Sequence, residues 1–271
     1  MPELPEVETT RRGISPHIVN NQTTAVIIRQ PRLRWPISAN LATDLTGQYI
    51  RAVNRRGKYL LLETDLGSAI IHLGMSGSLR IVDDTEPVGK HDHVDFVFSS
   101  GCILRFNDPR RFGSILWTRE STQDHRLLKS LGPEPLTDDF NGEHLYQKSR
   151  SRSQSIKAFI MDSHTVVGVG NIYANEALFK AGIHPKRQAG RIALARYRKL
   201  SQCIKQVLAD AIEQGGTTLR DFVGSDGKPG YFKQQLNVYG RAEMPCTICQ
   251  QPLSLIKQAN RATVFCRQCQ R

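Results

Sequence analysis

Four cysteines near the end of the chain constrain its fold more than any other feature. Two residues separate Cys246 from Cys249 and Cys266 from Cys269, and sixteen residues lie between the two pairs. Pairs with this spacing place four thiolates around one metal ion and are typical of a structural zinc site. Because four thiolates leave no open coordination position, the pattern predicts one structural Zn²⁺ that stabilises a short hairpin with almost no hydrophobic core.

The chain is strongly basic, which favours a polyanionic partner. It has 271 residues, with 37 Lys and Arg against 25 Asp and Glu, and a formal net charge of +12. Nucleic acid is the usual partner of such a protein, and a basic protein without one is the alternative. The sequence contains no run of 18 apolar residues and no secretory signal pattern. We therefore expect an intracellular protein, without a membrane partner, whose cysteines bind metal or lie in the core.

The first half of the chain has the pattern of an all-β structure. An amphipathic segment begins near Glu6 and is followed by short apolar runs bounded by Gly, Asp or Ser, which predict a β-sandwich or barrel. The predicted strands are Thr23–Arg29, Tyr49–Arg55, Lys58–Thr64, Ser68–Leu73, His93–Ser99 and Cys102–Asn107.

The second half has helical periodicity, beginning after the Gly and Pro residues at 132–135. The predicted helices are Asp138–Lys148, Ser155–Met161, Asn171–Ala181 and Ile192–Gln214. Residues 148–157 and 186–205 contain basic and no acidic residues, which is either a solvated helix face or a binding surface. Asn171 is a plausible N-cap after a glycine-rich turn, and helix N-termini bind phosphate. The fold class is therefore α+β, with an N-terminal β-sandwich and flanking helices, then a helix–two-turns–helix domain and a zinc hairpin.

The first six residues, MPELPE, combine a potential amine nucleophile with two carboxylates. Removal of Met1 would leave Pro2 with a free secondary amine, and a neutral amine attacks carbonyl-like carbon to form a Schiff base. With a secondary amine the adduct is an iminium, which stays cationic without a proton. Glu3 and Glu6 lie close to the amine and are candidate acids or bases. For these six residues alone, an unstructured N-terminus without a chemical role is the more frequent explanation.

Three turns carry residues that are unusual in a packed core. Lys58 lies in RRGK, where a lysine is more often a plain turn residue than a phosphate contact. Met75 lies in HLGMSG, and Arg110 and Phe112 lie in NDPRRFG, all between glycines or prolines. Apolar side chains on such loops can enter a base stack, and an enzyme that extracts a base must fill the gap. Arg261, between the cysteine pairs, is either a solvated turn charge or a phosphate contact.

In this order, the motifs resemble those of the formamidopyrimidine-DNA glycosylase family. MPELPE, RRGKYLL, HLGMSG, NDPRRFG, GVGNIYANE, SDGKPGYF and the cysteine pairs extend over the whole chain. The resemblance implies a bifunctional enzyme of base excision repair that excises 8-oxoguanine and formamidopyrimidines from double-stranded DNA. The enzyme then cleaves the strand at the abasic site by β,δ-elimination. We further expect a monomer in the bacterial cytoplasm, associated with the nucleoid through DNA.

The resemblance also assigns chemical roles to residues of this chain. Pro2 corresponds to the nucleophile that attacks C1′, and Glu3 to the acid that protonates the sugar ring oxygen or the departing base. Glu6 is a supporting residue. Lys58 corresponds to a phosphate contact with a part in β-elimination, and Arg261 to a zinc-finger arginine linked to phosphate binding and δ-elimination.

Further residues match the DNA-binding positions of the family. Met75, Arg110 and Phe112 resemble the trio that fills the gap and contacts the orphaned cytosine. The other DNA-binding positions are His91, Arg152 (often Lys in the family) and Asn171. Thr217–Tyr231 resembles a loop that closes over the oxidised base.

The implied domains are a catalytic β-sandwich at 1–132 and a helix–two-turns–helix domain at 133–223. The end of the lesion loop and a linker follow at 224–240, and a zinc finger at 241–271. Two other functions stay open: an endonuclease VIII-like glycosylase for oxidised pyrimidines, and a non-catalytic zinc protein that binds damaged DNA.

Overall fold

The computed structural model describes residues 2–215 and 236–271. Most of these residues belong to two compact units, one within residues 2–129 and the other formed by residues 130–213 and 236–271. The domain boundaries expected after residues 132, 223 and 240 stay predictions. The predicted loop Thr217–Tyr231 lies outside the described residues.

Two four-stranded antiparallel sheets form the first unit, which confirms the predicted β-sandwich class. The strands are β1 Thr23–Ile28, β2 Ala52–Arg56, β3 Tyr59–Glu63, β4 Ser68–His72, β5 Ser78–Val82, β6 Asp92–Phe98, β7 Ile103–Asn107 and β8 Ser114–Thr118. Their orders are β1-β6-β7-β5 and β2-β3-β4-β8, and apolar residues of both sheets share one core. The sequence prediction lacked β5 and β8, two of the four edge strands.

Helix α1, Leu4–Ile18, orders the start of the chain; the only other helix of this unit's described part is α2, Leu41–Leu45. Helix α1 begins at Leu4, two residues before the start expected at Glu6. Glu3 is its N-cap, and the Glu6 carboxylate accepts a hydrogen bond from Glu3 N–H at 2.8 Å. Val7, Ile14 and Ile18 on α1 are buried in the sandwich core. The explanation that the first residues are unstructured is therefore wrong for Glu3, the cap, and for the residues of α1.

Helices dominate the second unit, in agreement with the expected helical domain. They are α3 Gly142–Ser149, α4 Ile156–Met161, α5 Asn171–Ala181 and α6 Leu194–Glu213, with a 3-10 turn at Ala189–Arg191. Helix α3 begins four residues later than Asp138, because the Asn141 side chain accepts a hydrogen bond from His144 N–H. None of the described helices has the length and hydropathy needed to cross a bilayer.

A two-stranded hairpin, β9 Ser254–Gln258 and β10 Arg261–Phe265, carries the segment between the cysteine pairs. Ala259 and Asn260 form its turn with φ of +45° and +61°. Positive φ at both central residues is the geometry of a type I′ turn, which matches the twist of the strands. The turn fixes Arg261 as the first residue of β10.

Glu8 on α1 binds three arginines, of which Arg11 and Arg12 lie on the same helix and Arg55 lies on the sheet. Its carboxylate accepts hydrogen bonds from Arg11 at 2.8 and 3.0 Å, from Arg12 at 2.9 Å and from Arg55 on β2 at 3.1 Å. Burial alone would raise the pKa of Glu8, but the hydrogen bonds from the arginines outweigh burial and lower the pKa to about 2. The charged form is thus favoured in the folded protein.

We expect Glu8→Gln to reduce the free energy of unfolding by about 3 kcal/mol at pH 7. Because the folded-state pKa lies below the ordinary value of 4.5, the contribution of Glu8 is complete above pH 4.5 and is lost as the pH falls towards 2. The difference between wild type and variant should therefore shrink from pH 4.5 downwards, as measured by urea unfolding at several pH values. Asp65→Asn, which removes an exposed partner of Arg51, is the control and should have a much smaller effect. A pH-independent difference would contradict the assignment.

Candidate functional site

Pro2 and Glu3 are both buried at the start of α1. The hydrogen bond between Glu3 N–H and the Glu6 carboxylate holds the residue that follows Pro2. The Glu6 carboxylate binds the backbone at the helix start, which fits the role of a supporting residue better than that of an acid or base. The candidate nucleophile and acid therefore sit on a fixed segment.

Lys58 lies in the tight turn between β2 and β3, where Arg56 pairs with Tyr59. Gly57 has a φ of +57°, which favours glycine at this place. Arg55 donates to the Gly57 carbonyl at 3.0 Å and also to the Glu8 carboxylate on α1. The helix that carries Glu3 and the turn that carries Lys58 are thus connected through one arginine.

His72, at the end of β4, has a depressed pKa of about 4, caused first by burial and then by the charges of Lys58 and Arg34. Its Nδ1 accepts a hydrogen bond from Gly74 N–H at 2.9 Å, which a neutral imidazole allows. The ring is therefore neutral at pH 7, and the positive charges of Lys58 and Arg34 lie close enough to contribute to its lowered pKa. The sequence reasoning did not select His72 or Arg34.

Met75 and Phe112 are large apolar residues that remain 37% and 45% exposed. Both line an open cavity of about 670 Å³ together with Arg34 and His72. The Arg110 guanidinium lies over the Phe112 ring, 4.9 Å from its centroid. The structure thus brings together Met75, Arg110 and Phe112, the trio selected from the sequence, which we call the wedge. Met75 and Phe112 are not core residues.

His91 lies immediately before β6 and is half-buried. Its carbonyl accepts a hydrogen bond from Asp108 N–H at 3.0 Å, and its ring centroid lies 6.4 Å from that of His93. His91 therefore adjoins the start of the loop that carries Arg110 and Phe112.

The remaining candidates lie in the second unit. Asn171 was expected to be an N-cap, and this is wrong: Gly170 is the cap, with extended backbone, and Asn171 is the first residue of α5. Its Nδ2 instead donates to the Ala262 carbonyl on β10 at 3.1 Å, next to the exposed Arg261. Arg152 is exposed in the segment between α3 and α4.

Two further side chains bind the same strand. Lys157 on α4 is buried, and its Nζ donates to the Ala262 carbonyl at 3.1 Å and to Thr263 Oγ1 at 2.7 Å. Asn175 Oδ1 on α5 accepts a hydrogen bond from Val264 N–H at 3.1 Å. Lys157 and Arg261 also line a cavity of about 390 Å³. Lys157 entered the sequence reasoning only as basic charge, since nothing local to it indicates a contact 105 residues away.

The four cysteines form the expected cluster. Their sulfur atoms lie within 4.8 Å of one another, with Cys246 Sγ 3.9 Å from Cys269 Sγ and Cys249 Sγ 3.4 Å from Cys266 Sγ. Zn–S bonds of about 2.3 Å hold four tetrahedral sulfurs about 3.8 Å apart, so the donor set fits one zinc ion. No other such cluster of metal-ligating side chains was found among the described residues.

Comparison with known proteins gives matches over both units. A model of the formamidopyrimidine-DNA glycosylase N-terminal domain matches residues 1–115, and a model of the formamidopyrimidine-DNA glycosylase H2TH domain matches residues 131–223. A formamidopyrimidine-DNA glycosylase of Marinobacter nauticus is 60% identical over 271 residues, which is 100% of both chains.

Solved structures agree with these matches. The MutM (Fpg) protein of Thermus thermophilus is 37% identical, with a TM-score of 0.89 over 99% of this chain and 98% of that chain. Lactococcus lactis Fpg in complex with DNA containing N7-benzyl-Fapy-dG is 34% identical, with a TM-score of 0.91 over 100% of each chain. The same Lactococcus protein in complex with DNA containing an oxidised pyrimidine is 33% identical, with a TM-score of 0.91 over 100% of each chain. This chain therefore belongs to the formamidopyrimidine-DNA glycosylase family.

Proposed function

We propose that this protein is a DNA glycosylase of base excision repair that excises oxidised purines and then cleaves the DNA strand at the abasic site. The observation that carries the proposal is the exposed pair of Met75 and Phe112 beside Arg110, in a chain that matches its family over both units. The Lactococcus relative was solved with a formamidopyrimidine lesion in DNA, which supports this substrate class. The net charge of +12 suits a DNA partner.

The glycosylase step uses the start of α1. With Met1 removed, the Pro2 nitrogen forms a bond to C1′ while the bond from C1′ to the base breaks, and that electron pair leaves with the base. Glu3 in its protonated form supplies a proton to the sugar ring oxygen or to the base. General acid assistance of this kind accelerates reactions by about 10²–10⁴-fold. The cap interaction with Glu6 holds Glu3 in place for this transfer.

The strand-cleavage step begins with formation of an iminium at C1′: the Pro2 nitrogen of the adduct loses its proton, its lone pair forms a double bond to C1′, and the bond from C1′ to the sugar ring oxygen breaks as that oxygen takes up a proton. The cation acidifies C2′, whose proton is lost while the electron pair forms a double bond and expels the 3′ phosphate. In a second elimination the C4′ proton is lost, and its electron pair forms a further double bond as the 5′ phosphate leaves. Lys58, held by the turn that Arg55 anchors, contacts a phosphate near the lesion, and Arg261 contacts phosphate from the hairpin.

The wedge and the basic residues bind the duplex. Met75 and Phe112 fill the space left by the extruded nucleotide, while Arg110 contacts the unpaired cytosine. His91, Arg152 and Asn171 add contacts to the DNA, chiefly through the backbone. We propose that the protein acts as a monomer in the bacterial cytoplasm, where chromosomal DNA lies.

One zinc ion bound by the cysteine cluster completes the proposal. Four thiolates would leave the ion without an open position, so its part is structural and it stabilises the hairpin that carries Arg261. The small core of the hairpin, formed by Val238, Leu253 and Val264 with Phe179 of α5, supports a need for the metal.

The proposal predicts a preference for oxidised purines over oxidised pyrimidines. Single-turnover excision of 8-oxoguanine opposite cytosine should exceed excision of thymine glycol in the same sequence by at least about tenfold, equivalent to about 1.4 kcal/mol. The opposite preference would favour an endonuclease VIII-like enzyme, an alternative that the Lactococcus complex with an oxidised pyrimidine makes worth testing directly.

A covalent adduct between the protein and DNA is the second expected outcome. Borohydride reduces an iminium to a stable amine, so treatment during the reaction should trap the protein on 8-oxoguanine DNA. Intact-mass measurement should show loss of Met1, and peptide mapping should place the adduct on the peptide that begins at Pro2. An adduct on Lys58 would refute the assignment of the nucleophile, and no adduct would favour a non-catalytic damaged-DNA-binding protein.

Metal analysis tests the zinc site. The purified protein should contain one zinc per chain, and Cys249→Ala should lose it and bind duplex DNA with a tetrahydrofuran abasic analogue at least about tenfold more weakly. Cys203→Ala is the matched control, because Cys203 lies on α6 outside the cluster. Retention of a full equivalent of zinc by the Cys249 variant would contradict the four-cysteine site.

A further inference from the structure

The turn that carries Met75 and the loop that carries Phe112 pack backbone against backbone. A Cβ atom on Gly74, which has a φ of +66°, would lie 2.4 Å from the Gly113 nitrogen and from the Phe112 carbonyl carbon. A side chain at this position would therefore push the two segments apart. Met75 and Phe112 consequently belong to one continuous surface, although 37 positions separate them in the sequence.

A buried carboxylate connects the same two segments. Asp108 is fully buried, and its Oδ1 accepts a hydrogen bond from Ser76 Oγ at 2.7 Å. Its Oδ2 accepts one from Gly113 N–H at 2.8 Å. Arg110 N–H lies 3.3 Å from both Asp108 Oδ1 and Ser76 Oγ. One side chain thus holds the residue after Met75, the backbone of Arg110 and the residue after Phe112.

The sheet in turn holds Asp108. Its N–H donates to the His91 carbonyl at 3.0 Å, and its own carbonyl lies 2.8 Å from His93 Nε2. Between Asp108 and Gly113 the loop places Arg111 at a φ of +54°. A non-glycine residue keeps this conformation only when its surroundings enforce it. The loop is therefore held in shape by its hydrogen bonds rather than by the local preference of its residues.

We propose that Ser76 and Asp108 are positioning residues that hold Met75, Arg110 and Phe112 as one rigid wedge for base extrusion. The inference rests on the proposed function, because it assigns a purpose to the wedge of that function. Neither residue contacts the reacting atoms in this proposal. Their effect should be confined to steps in which a base is forced out of a duplex and the opposite base is recognised, since a displaced wedge fills the gap less well.

The test compares two reactions of the same variant. Ser76→Ala should slow single-turnover excision of 8-oxoguanine opposite cytosine by about tenfold, since a buried hydrogen bond to a charged group is lost. Cleavage at a pre-formed abasic site in the same duplex, under saturating enzyme, should change by less than about twofold. The ratio of excision opposite cytosine to excision opposite adenine should also move towards one, as Arg110 loses its anchor. Ser78→Ala, a substitution of another buried serine on the adjoining β5, should leave all three measurements unchanged.

Asp108→Asn keeps the volume of the side chain and provides a second variant if Ser76→Ala does not accumulate. One oxygen becomes an NH₂ group that cannot accept a hydrogen bond, so the same pattern is expected with a larger effect. If the wild type excises 8-oxoguanine and both variants do so at the wild-type rate, the positioning role alone is overturned. The same holds if a variant slows excision and abasic-site cleavage equally. Absence of 8-oxoguanine excision by the wild type would overturn the proposed function, and this inference with it.

Discussion

The hydrogen bond that Glu8 on α1 accepts from Arg55 on β2 fixes the start of the chain to the sheet, while Arg11 and Arg12 complete the hydrogen bonding of the carboxylate from within the helix. Arg11 on α1 adds a second polar contact to β2, because its Nη1 donates to the Val53 carbonyl at 3.3 Å. Directed bonds of this kind specify orientation more sharply than an apolar face does. Arg55 extends this connection to the Gly57 carbonyl. Through Arg55, the Glu8 carboxylate therefore connects α1, which Glu3 caps, with the turn on which Lys58 lies.

Other buried polar side chains hold a neighbouring segment by binding its backbone. Asp108 binds the loop of Arg110 and Phe112, and Lys157 binds β10 beside Arg261. Glu176 on α5 accepts four hydrogen bonds from residues 237–239, three of them from backbone N–H groups. These contacts fix the backbone of a segment while its candidate functional side chains stay exposed. The residues that would contact DNA remain accessible, while their geometry is set from beneath by groups that water does not reach.

The parts of the structure that local pattern determines were predictable from sequence. Helix Asn171–Ala181 has the expected bounds, and the four cysteines converge because the spacing within each pair and the hairpin between the pairs bring the ligands together. The edge strands β5 and β8 were not predicted, although the edge strands β1 and β2 were, because strand preference depends on the neighbours that a segment meets in the fold. Glu8 and Arg55 are 47 residues apart, and Ser76 and Asp108 are 32 apart. Such partnerships exist only once the fold has formed, and no local periodicity reveals them.

In the second unit, the proposed metal alone would not fix the orientation of Arg261. The cysteine cluster determines the hairpin's own shape, but the ligands lie at its base, whereas Arg261 lies beside the turn. The direction of Arg261 depends on β10, and Lys157, Asn171 and Asn175 all bind β10 at residues 262–264. The proposed zinc ion and the helices would therefore act on different degrees of freedom: the ion would close the fold of the hairpin, and the helices orient it. An intact zinc site with a misdirected arginine is thus a physically distinct state from a lost zinc site, even though both would weaken the grip on phosphate.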